Sequence, residues 1–88
     1  MMPVSNEMRK ENTYWVRQRD KWRGQYSKIQ NEISFCKNEV AYNHRIGALR
    51  PANRYLVQLK ALQQVANYMM CDRAYIAMQL RLTSFRYE

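Results

Sequence analysis

Glycine, proline, cysteine, histidine and acidic residues are all scarce in this chain of 88 residues. It contains two Gly, two Pro, two Cys, one His and seven Asp or Glu. So few helix breakers leave little room for the turns that a sheet needs, which favours an all-α fold. Two cysteines do not make a disulfide framework, so we expect free thiols and a reducing compartment. A chain of this length forms one domain at most.

The shortage of histidine and acidic residues also argues against catalysis and metal binding. The single histidine, His44, has no neighbouring nucleophile or positioned partner that would make it a general base. Cys36 and His44 lie eight positions apart without further ligands nearby, so zinc spacing is missing. The sequence has no glycine-rich phosphate loop. We therefore expect no enzymatic activity, no cofactor and no bound metal.

Long apolar runs are missing as well. The longest uncharged run, residues 61–71, is far shorter than the roughly 20 residues of a membrane-spanning helix. Residues 1–11 hold few apolar side chains and include Glu7, which is untypical of a cleavable signal. We expect a cytoplasmic or cytoskeletal protein without a membrane span.

Positive charge is what the chain has in excess, with a formal net charge of +8. Residues 9–28 contain seven basic and two acidic residues. A segment this basic attracts an acidic partner: nucleic acid, an anionic membrane surface, or an acidic protein such as a tubulin wall. The cations predicted to contact that partner are Arg17, Arg19, Lys21, Arg23 and Lys28.

Apolar residues in the first half follow one heptad phase, which predicts a long helix. The phase contains Trp15, Trp22, Tyr26, Ile29, Ile33, Cys36 and Val40, and it is broken only by Arg19. Gly24 lies within the stripe, so the helix either begins near it or runs through it at a small cost. Because apolar residues continue on both sides, we favour one helix over about residues 6–46.

A break over about residues 43–51 separates this helix from a second one over about residues 51–86. Gly47 suits the left-handed conformation that often ends a helix, and Pro51 suits the first turn of the next helix. Arg50 precedes proline and is biased away from helical geometry. We predict one helical unit over residues 1–88, and the sequence leaves open whether it is a hairpin or an extended rod.

Two apolar stripes lie on nearly opposite faces of the second helix, with centres about 150° apart. The first stripe contains Ala52, Tyr55, Leu59, Leu62, Ala66, Met69, Ile76 and Leu80. The second stripe contains Val57, Ala61, Tyr68, Cys71, Tyr75, Met78, Leu82 and Phe85. The first half of the chain can cover one stripe, so the other is expected to contact another molecule. We therefore expect the helices to be ordered mainly within an assembly.

Aromatic and basic residues alternate over residues 14–28, a pattern typical of proteins that stack bases on rings and bind phosphates with Arg and Lys. Three of these aromatics nevertheless belong to the apolar stripe, which favours a role in the core or in a protein interface. Tyr, Met and Arg are abundant here and are common at interfaces. The predicted interface anchors are Trp15, Trp22, Tyr26, Tyr68, Tyr75, Met78 and Phe85.

Residues 22–88 resemble the short cilia- and flagella-associated proteins that line the lumen of doublet microtubules. The resemblance is carried by Glu32-Ile33-Ser34-Phe35-Cys36-Lys37-Asn38-Glu39-Val40, by His44-Arg45 and Leu49, and by Leu59, Leu62, Tyr75, Gln79-Leu80 and Phe85. The sequence departs from that pattern at Gln79, where an acidic residue is usual, and at Pro51, where a continuous helix is usual. The resemblance implies a two-helix protein of the ciliary axoneme, with tubulin and neighbouring ciliary proteins as partners.

The sequence thus favours a non-enzymatic structural adaptor within a larger protein assembly, with the lumenal wall of ciliary doublet microtubules as the preferred site. Two alternatives stay open. One is a small basic subunit that binds nucleic acid or ribonucleoprotein through residues 14–28, and the other is an accessory subunit of a mitochondrial complex.

Overall fold

Two antiparallel α-helices form the part of the chain that the structure, a computed structural model, describes, namely residues 6–84. Helix α1 spans Asn6–Arg45 and helix α2 spans Leu49–Ser84. They pack against each other along an elongated hairpin, with α1 about 60 Å long at 1.5 Å per residue. The predicted all-α fold is confirmed, and of the two arrangements that the sequence left open the chain adopts the hairpin.

The helices meet along a seam to which each contributes one heptad stripe. From α2 comes the first stripe, in which Ala52, Leu59 and Ala66 are buried and the other members are half-buried. From α1 come Trp15, Trp22, Tyr26, Ile29, Ile33, Cys36 and Val40. The centre of the core is formed by Ile33, Cys36, Leu59 and Ala66. Cys36 is fully buried as a free thiol, so it packs as a small apolar side chain.

Helix α1 continues without interruption through Gly24, as the apolar residues on both sides of this glycine predicted. A Cβ at Gly24 would meet no atom within 4 Å, so the glycine makes no close approach to α2. Near Gly24, the contacts of α1 with α2 are made by side chains on either side of the glycine.

The joint between the helices consists of residues 46–48, which is shorter than the predicted break. Gly47 has a φ of 76°. The Ala48 N–H donates to the Asn43 carbonyl at 2.8 Å, and the Gly47 N–H donates to the His44 carbonyl at 3.2 Å. These two hydrogen bonds define a Schellman motif, which satisfies carbonyls at the end of α1 and turns the chain back.

Helix α2 begins at Leu49, so Arg50 and Pro51 both lie in its first turn. The expectation that Arg50 leaves helical geometry is corrected here. Pro51 is tolerated because the first N–H groups of a helix have no partner within it, and the missing donor therefore costs no hydrogen bond. The first backbone hydrogen bond of α2 is donated by the Ala52 N–H to the Ala48 carbonyl at 3.2 Å.

Polar residues occupy the seam at both ends of the hairpin. At the open end, Asn12 Nδ2 donates to Thr83 Oγ1 at 2.9 Å, which links the two helices. At the joint, buried Asn43 donates through Nδ2 to the Glu39 carbonyl at 2.7 Å. A shift of one helix along the other would separate Asn12 from Thr83 and break their hydrogen bond. This bond therefore favours a single register of α1 against α2.

The two glycines give a matched test of the joint. Gly47→Ala is expected to lower the free energy of unfolding by about 1 kcal/mol, because Ala is strained at positive φ. Gly24→Ala is expected to raise it by about 0.5–1 kcal/mol, because Ala favours a helix interior. Denaturant unfolding followed by far-UV circular dichroism measures both. Stabilisation by both substitutions would contradict the left-handed cap at Gly47.

Candidate functional site

The second apolar stripe of α2 lies on the side of the hairpin that faces away from α1, and we call it the outer stripe. Val57 is 70% exposed, Tyr68 is 65% exposed, and Met78 and Leu82 are about half exposed. Ala61 and Cys71 are exposed as well. The predicted anchor Phe85 lies outside the described residues. The first stripe therefore packs within the hairpin, and the described members of the outer stripe remain exposed, although Tyr75 also contacts α1.

Tyr75 lies at the border between the seam and the outer stripe. Its ring meets the Trp15 ring edge to face, with centroids 5.5 Å apart and planes at 77°. It remains 52% exposed all the same. Tyr75 therefore belongs both to the packing between the helices and to the exposed surface. Tyr68 and Met78 belong to the exposed surface.

The three aromatic anchors predicted on α1 all face α2. Trp22 Nε1 donates to the Met69 carbonyl at 2.7 Å, and the Trp22 ring stacks on the Tyr26 ring with centroids 4.6 Å apart. Tyr26 in turn packs against the buried core. Trp15 makes edge contacts with Tyr14 and Tyr75, whereas its buried Nε1 has no hydrogen-bond partner among the described residues. All three are half-buried between the helices, and their role as anchors for another molecule stays a prediction.

The cations predicted to contact an acidic partner lie on the surface of α1. Arg17, Lys21, Arg23 and Lys28 are exposed, and Arg19 is half-buried. Among the described side chains the one ion pair joins Arg19 Nε to Asp20 Oδ1 at 3.4 Å. The Arg19 and Asp20 side chains are 39% and 61% exposed, so solvent screens this pair and it contributes little to stability. Most of the positive charge of α1 is therefore available to a partner.

Three arginines line one groove beside the seam, and we call it the arginine groove. Arg19 and Arg23 come from α1 and Arg73 comes from α2. The groove has a volume of about 240 Å³, and its other lining residues are Trp22, Ile76, Ala77 and Leu80. The Arg73 guanidinium carbon lies 5.9 Å from the centroid of the Trp22 ring, within the range of a cation–π contact.

Arg73 was not among the residues predicted from the sequence. It follows Ala66 by seven positions and precedes Leu80 by seven, so it occupies a seam position where the stripe calls for an apolar residue. The signal in the sequence was the gap between Met69 and Ile76. Because the apolar residues alone define the stripe, the cation within it is easily passed over.

Metal ligands do not gather in the described residues, where no group of three or more His, Cys, Asp or Glu side chains occurs. His44 is exposed at the end of α1, and Cys36 is buried in the core. Neither helix, over residues 6–84, contains a segment long and apolar enough to cross a membrane.

Comparison of the chain with protein-family models, with curated proteins and with solved structures finds no match. The ciliary partner implied by the sequence resemblance therefore stays a prediction. The function is inferred from three features of the hairpin: the contacts of the aromatic residues, the outer stripe and the arginine groove.

The two tryptophans differ in a way that mutation can measure. Trp22→Phe removes a hydrogen bond to the Met69 carbonyl, and Trp15→Phe removes a buried N–H that has no partner. We expect Trp22→Phe to lower the free energy of unfolding by about 1 kcal/mol more than Trp15→Phe does. Denaturant unfolding of both variants provides the comparison. A larger loss for Trp15→Phe would contradict the described position of Trp22.

Proposed function

We propose that this chain is a non-enzymatic structural adaptor whose hairpin is held within a larger protein assembly. The observation that carries the proposal is the outer stripe, which extends over residues 57–82, roughly 37 Å of helix. Exposed apolar residues that recur on one face over such a length, interrupted by Gln64 between Ala61 and Tyr68, favour association with another molecule. Its members are aromatic residues and Met as well as aliphatic residues, a composition typical of protein interfaces.

The charge of the hairpin supports an acidic protein as the partner. Arg17, Lys21 and Lys28 are exposed on α1 and have no ion-pair partner among the described side chains. An acidic surface would neutralise these cations at the same time as an apolar patch covers the outer stripe. The acidic wall of a ciliary microtubule, with tubulin and neighbouring axonemal proteins, is the assembly that we favour, on the strength of the sequence resemblance.

The contacts of the aromatic residues weigh against the alternative of single-strand nucleic-acid binding. Base stacking needs a free ring face. Trp22 already stacks on Tyr26, and its N–H binds the Met69 carbonyl. Trp15 makes T-shaped contacts with Tyr14 and, across the seam, with Tyr75. A base would therefore have to displace contacts that hold α1 against α2, whereas a protein partner can use the outer stripe without disturbing them.

Co-sedimentation of the full chain with microtubules tests the preferred partner. We expect Tyr68→Asp to weaken binding at least about tenfold, because it introduces a charge into the apolar contact. The control is Asn67→Asp, which makes the same change in charge one residue away at an exposed polar position. This control is expected to weaken binding by less than about twofold, and both variants should keep wild-type helicity.

Equal binding by wild type and Tyr68→Asp would contradict a role for the outer stripe. Absence of co-sedimentation would exclude the microtubule wall and leave another assembly to be identified by purification from native tissue. If instead tryptophan fluorescence is quenched by single-stranded oligonucleotides, with an affinity that falls steeply as salt rises, the nucleic-acid alternative is favoured.

The isolated chain is expected to self-associate, because its outer stripe then has no other partner. Size-exclusion chromatography with light scattering measures the mass of the species in solution. Tyr68→Asp should shift the population towards the monomer of 10.7 kDa, and Asn67→Asp should not. A wild-type protein that stays monomeric and melts cooperatively at high concentration would argue against the adaptor proposal.

A further inference from the structure

Two arginines lie at the same level of the seam, one on each helix. Arg19 is located on α1 between Trp15, which contacts Tyr75, and Trp22, which binds the Met69 carbonyl. Arg73 is located on α2 between Met69 and Tyr75. Both side chains line the arginine groove, together with Arg23. The apolar seam is thus interrupted on both helices at one layer, which we call the arginine layer.

This layer places positive charge on both helices at heptad positions that are apolar elsewhere in the seam. Arg19 is half-buried and Arg73 is exposed, so water screens the repulsion between their guanidinium groups without removing it. Asp20 pairs with Arg19 at 3.4 Å, but the Asp20 side chain is 61% exposed and does not line the groove. No carboxylate stands among the described residues that line it. An anion from outside the hairpin would therefore relieve the repulsion.

We propose that the arginine groove binds carboxylate side chains of an acidic polypeptide segment that belongs to the partner assembly, an inference that rests on the proposed adaptor function. Arginine presents a planar fork of donors that matches a carboxylate with two parallel hydrogen bonds. Three such forks converge here from two helices. The aliphatic lining at Ile76, Ala77 and Leu80 accepts a neighbouring apolar side chain of the same segment.

The lining of the groove favours a polypeptide over nucleic acid. Its one aromatic ring belongs to Trp22, and that ring is stacked on Tyr26 and approached by the Arg73 guanidinium. A base entering the groove would find aliphatic side chains and no free ring on which to stack. An acidic segment needs only the guanidinium groups and the aliphatic lining, and both are present.

The test uses a fluorescent peptide that is rich in glutamate and contains one leucine. Its binding to the full chain is measured by fluorescence anisotropy. The uncharged control is the same peptide with glutamine in place of each glutamate. We expect the glutamate peptide to bind and the glutamine peptide not to. Arg73→Gln should weaken binding at least about tenfold, because a charge-assisted hydrogen-bonding group is lost. The control Arg54→Gln makes the same change at an exposed position roughly 28 Å along α2 and should weaken binding by less than about twofold.

A second variant separates binding from folding. Arg23 is exposed on α1 outside the seam stripe, so Arg23→Gln should repeat the loss of peptide binding at unchanged helicity. Arg73→Leu should weaken binding of the peptide and leave the thermal midpoint of the free hairpin unchanged or higher, because leucine at this heptad position can pack in the seam and replaces the contact of the guanidinium with Trp22. A lower midpoint for Arg73→Leu would overturn the proposal, since Arg73 would then stabilise the hairpin itself.

Three further results would overturn the groove as an acidic-segment site. Equal weakening by Arg73→Gln and Arg54→Gln would mean that the peptide responds only to overall charge. If a single-stranded oligonucleotide displaces the bound fluorescent peptide at a lower concentration than the unlabelled peptide does, the groove would be assigned to nucleic acid. Absence of peptide binding at low salt would remove the site altogether. If any of these occurs while Tyr68→Asp still weakens co-sedimentation with microtubules and Asn67→Asp does not, the groove inference fails and the adaptor function stands.

Discussion

A hairpin of two helices can cover only one face of each, and this limit determines how every other surface of the molecule is used. The seam is formed by the first stripe of α2 and the heptad stripe of α1. A heptad repeat keeps a stripe on one side of a supercoiled pair, so residues in the opposite phase remain on the outside over the whole length of α2. Val57 and Leu82 are therefore both exposed although they lie seven turns apart on one helix. The outer stripe is therefore a consequence of the geometry of the seam.

The seam itself is thin. Its buried apolar members are Ile33, Cys36, Ala52, Leu59 and Ala66, of which three are small. Aromatic side chains that extend the seam towards the open end remain partly exposed, and the arginine layer interrupts it. Little apolar area is removed from water for a chain of this length, and helices without strong local pairing depend on packing for their stability. A partner that covers the outer stripe would add the packing that α1 alone does not supply.

Features that depend on local sequence could be predicted, and features that depend on how the helices meet could not. Gly47 and Pro51 marked the joint because their backbone preferences act within a few residues. Both stripes of α2 were visible in the periodicity, but Leu59 and Tyr68 gave no local reason for one stripe rather than the other to face α1. That choice depends on side chains across the seam. The roles of Trp22 and Arg73 depend on the level at which α1 and α2 pair, and this level follows from the three-residue joint and the bond between Asn12 and Thr83.

Some polar residues of the seam have hydrogen-bond partners within the hairpin, and others lack an opposite charge in the groove that they line. The second group marks the place where a partner can bind. Asn12 bonds to Thr83 across the seam and favours one register, and Asn43 bonds to the Glu39 carbonyl of its own helix, so none of the three requires a group from outside. Arg19 and Arg73 converge without a carboxylate in the groove that they share. Ala77 in that groove is followed directly by Met78 of the outer stripe, but consecutive residues of a helix point about 100° apart, so the two surfaces lie on different sides of α2. A partner would therefore have to extend around α2 to engage both surfaces, and its affinity for the hairpin would then combine charge neutralisation with apolar burial.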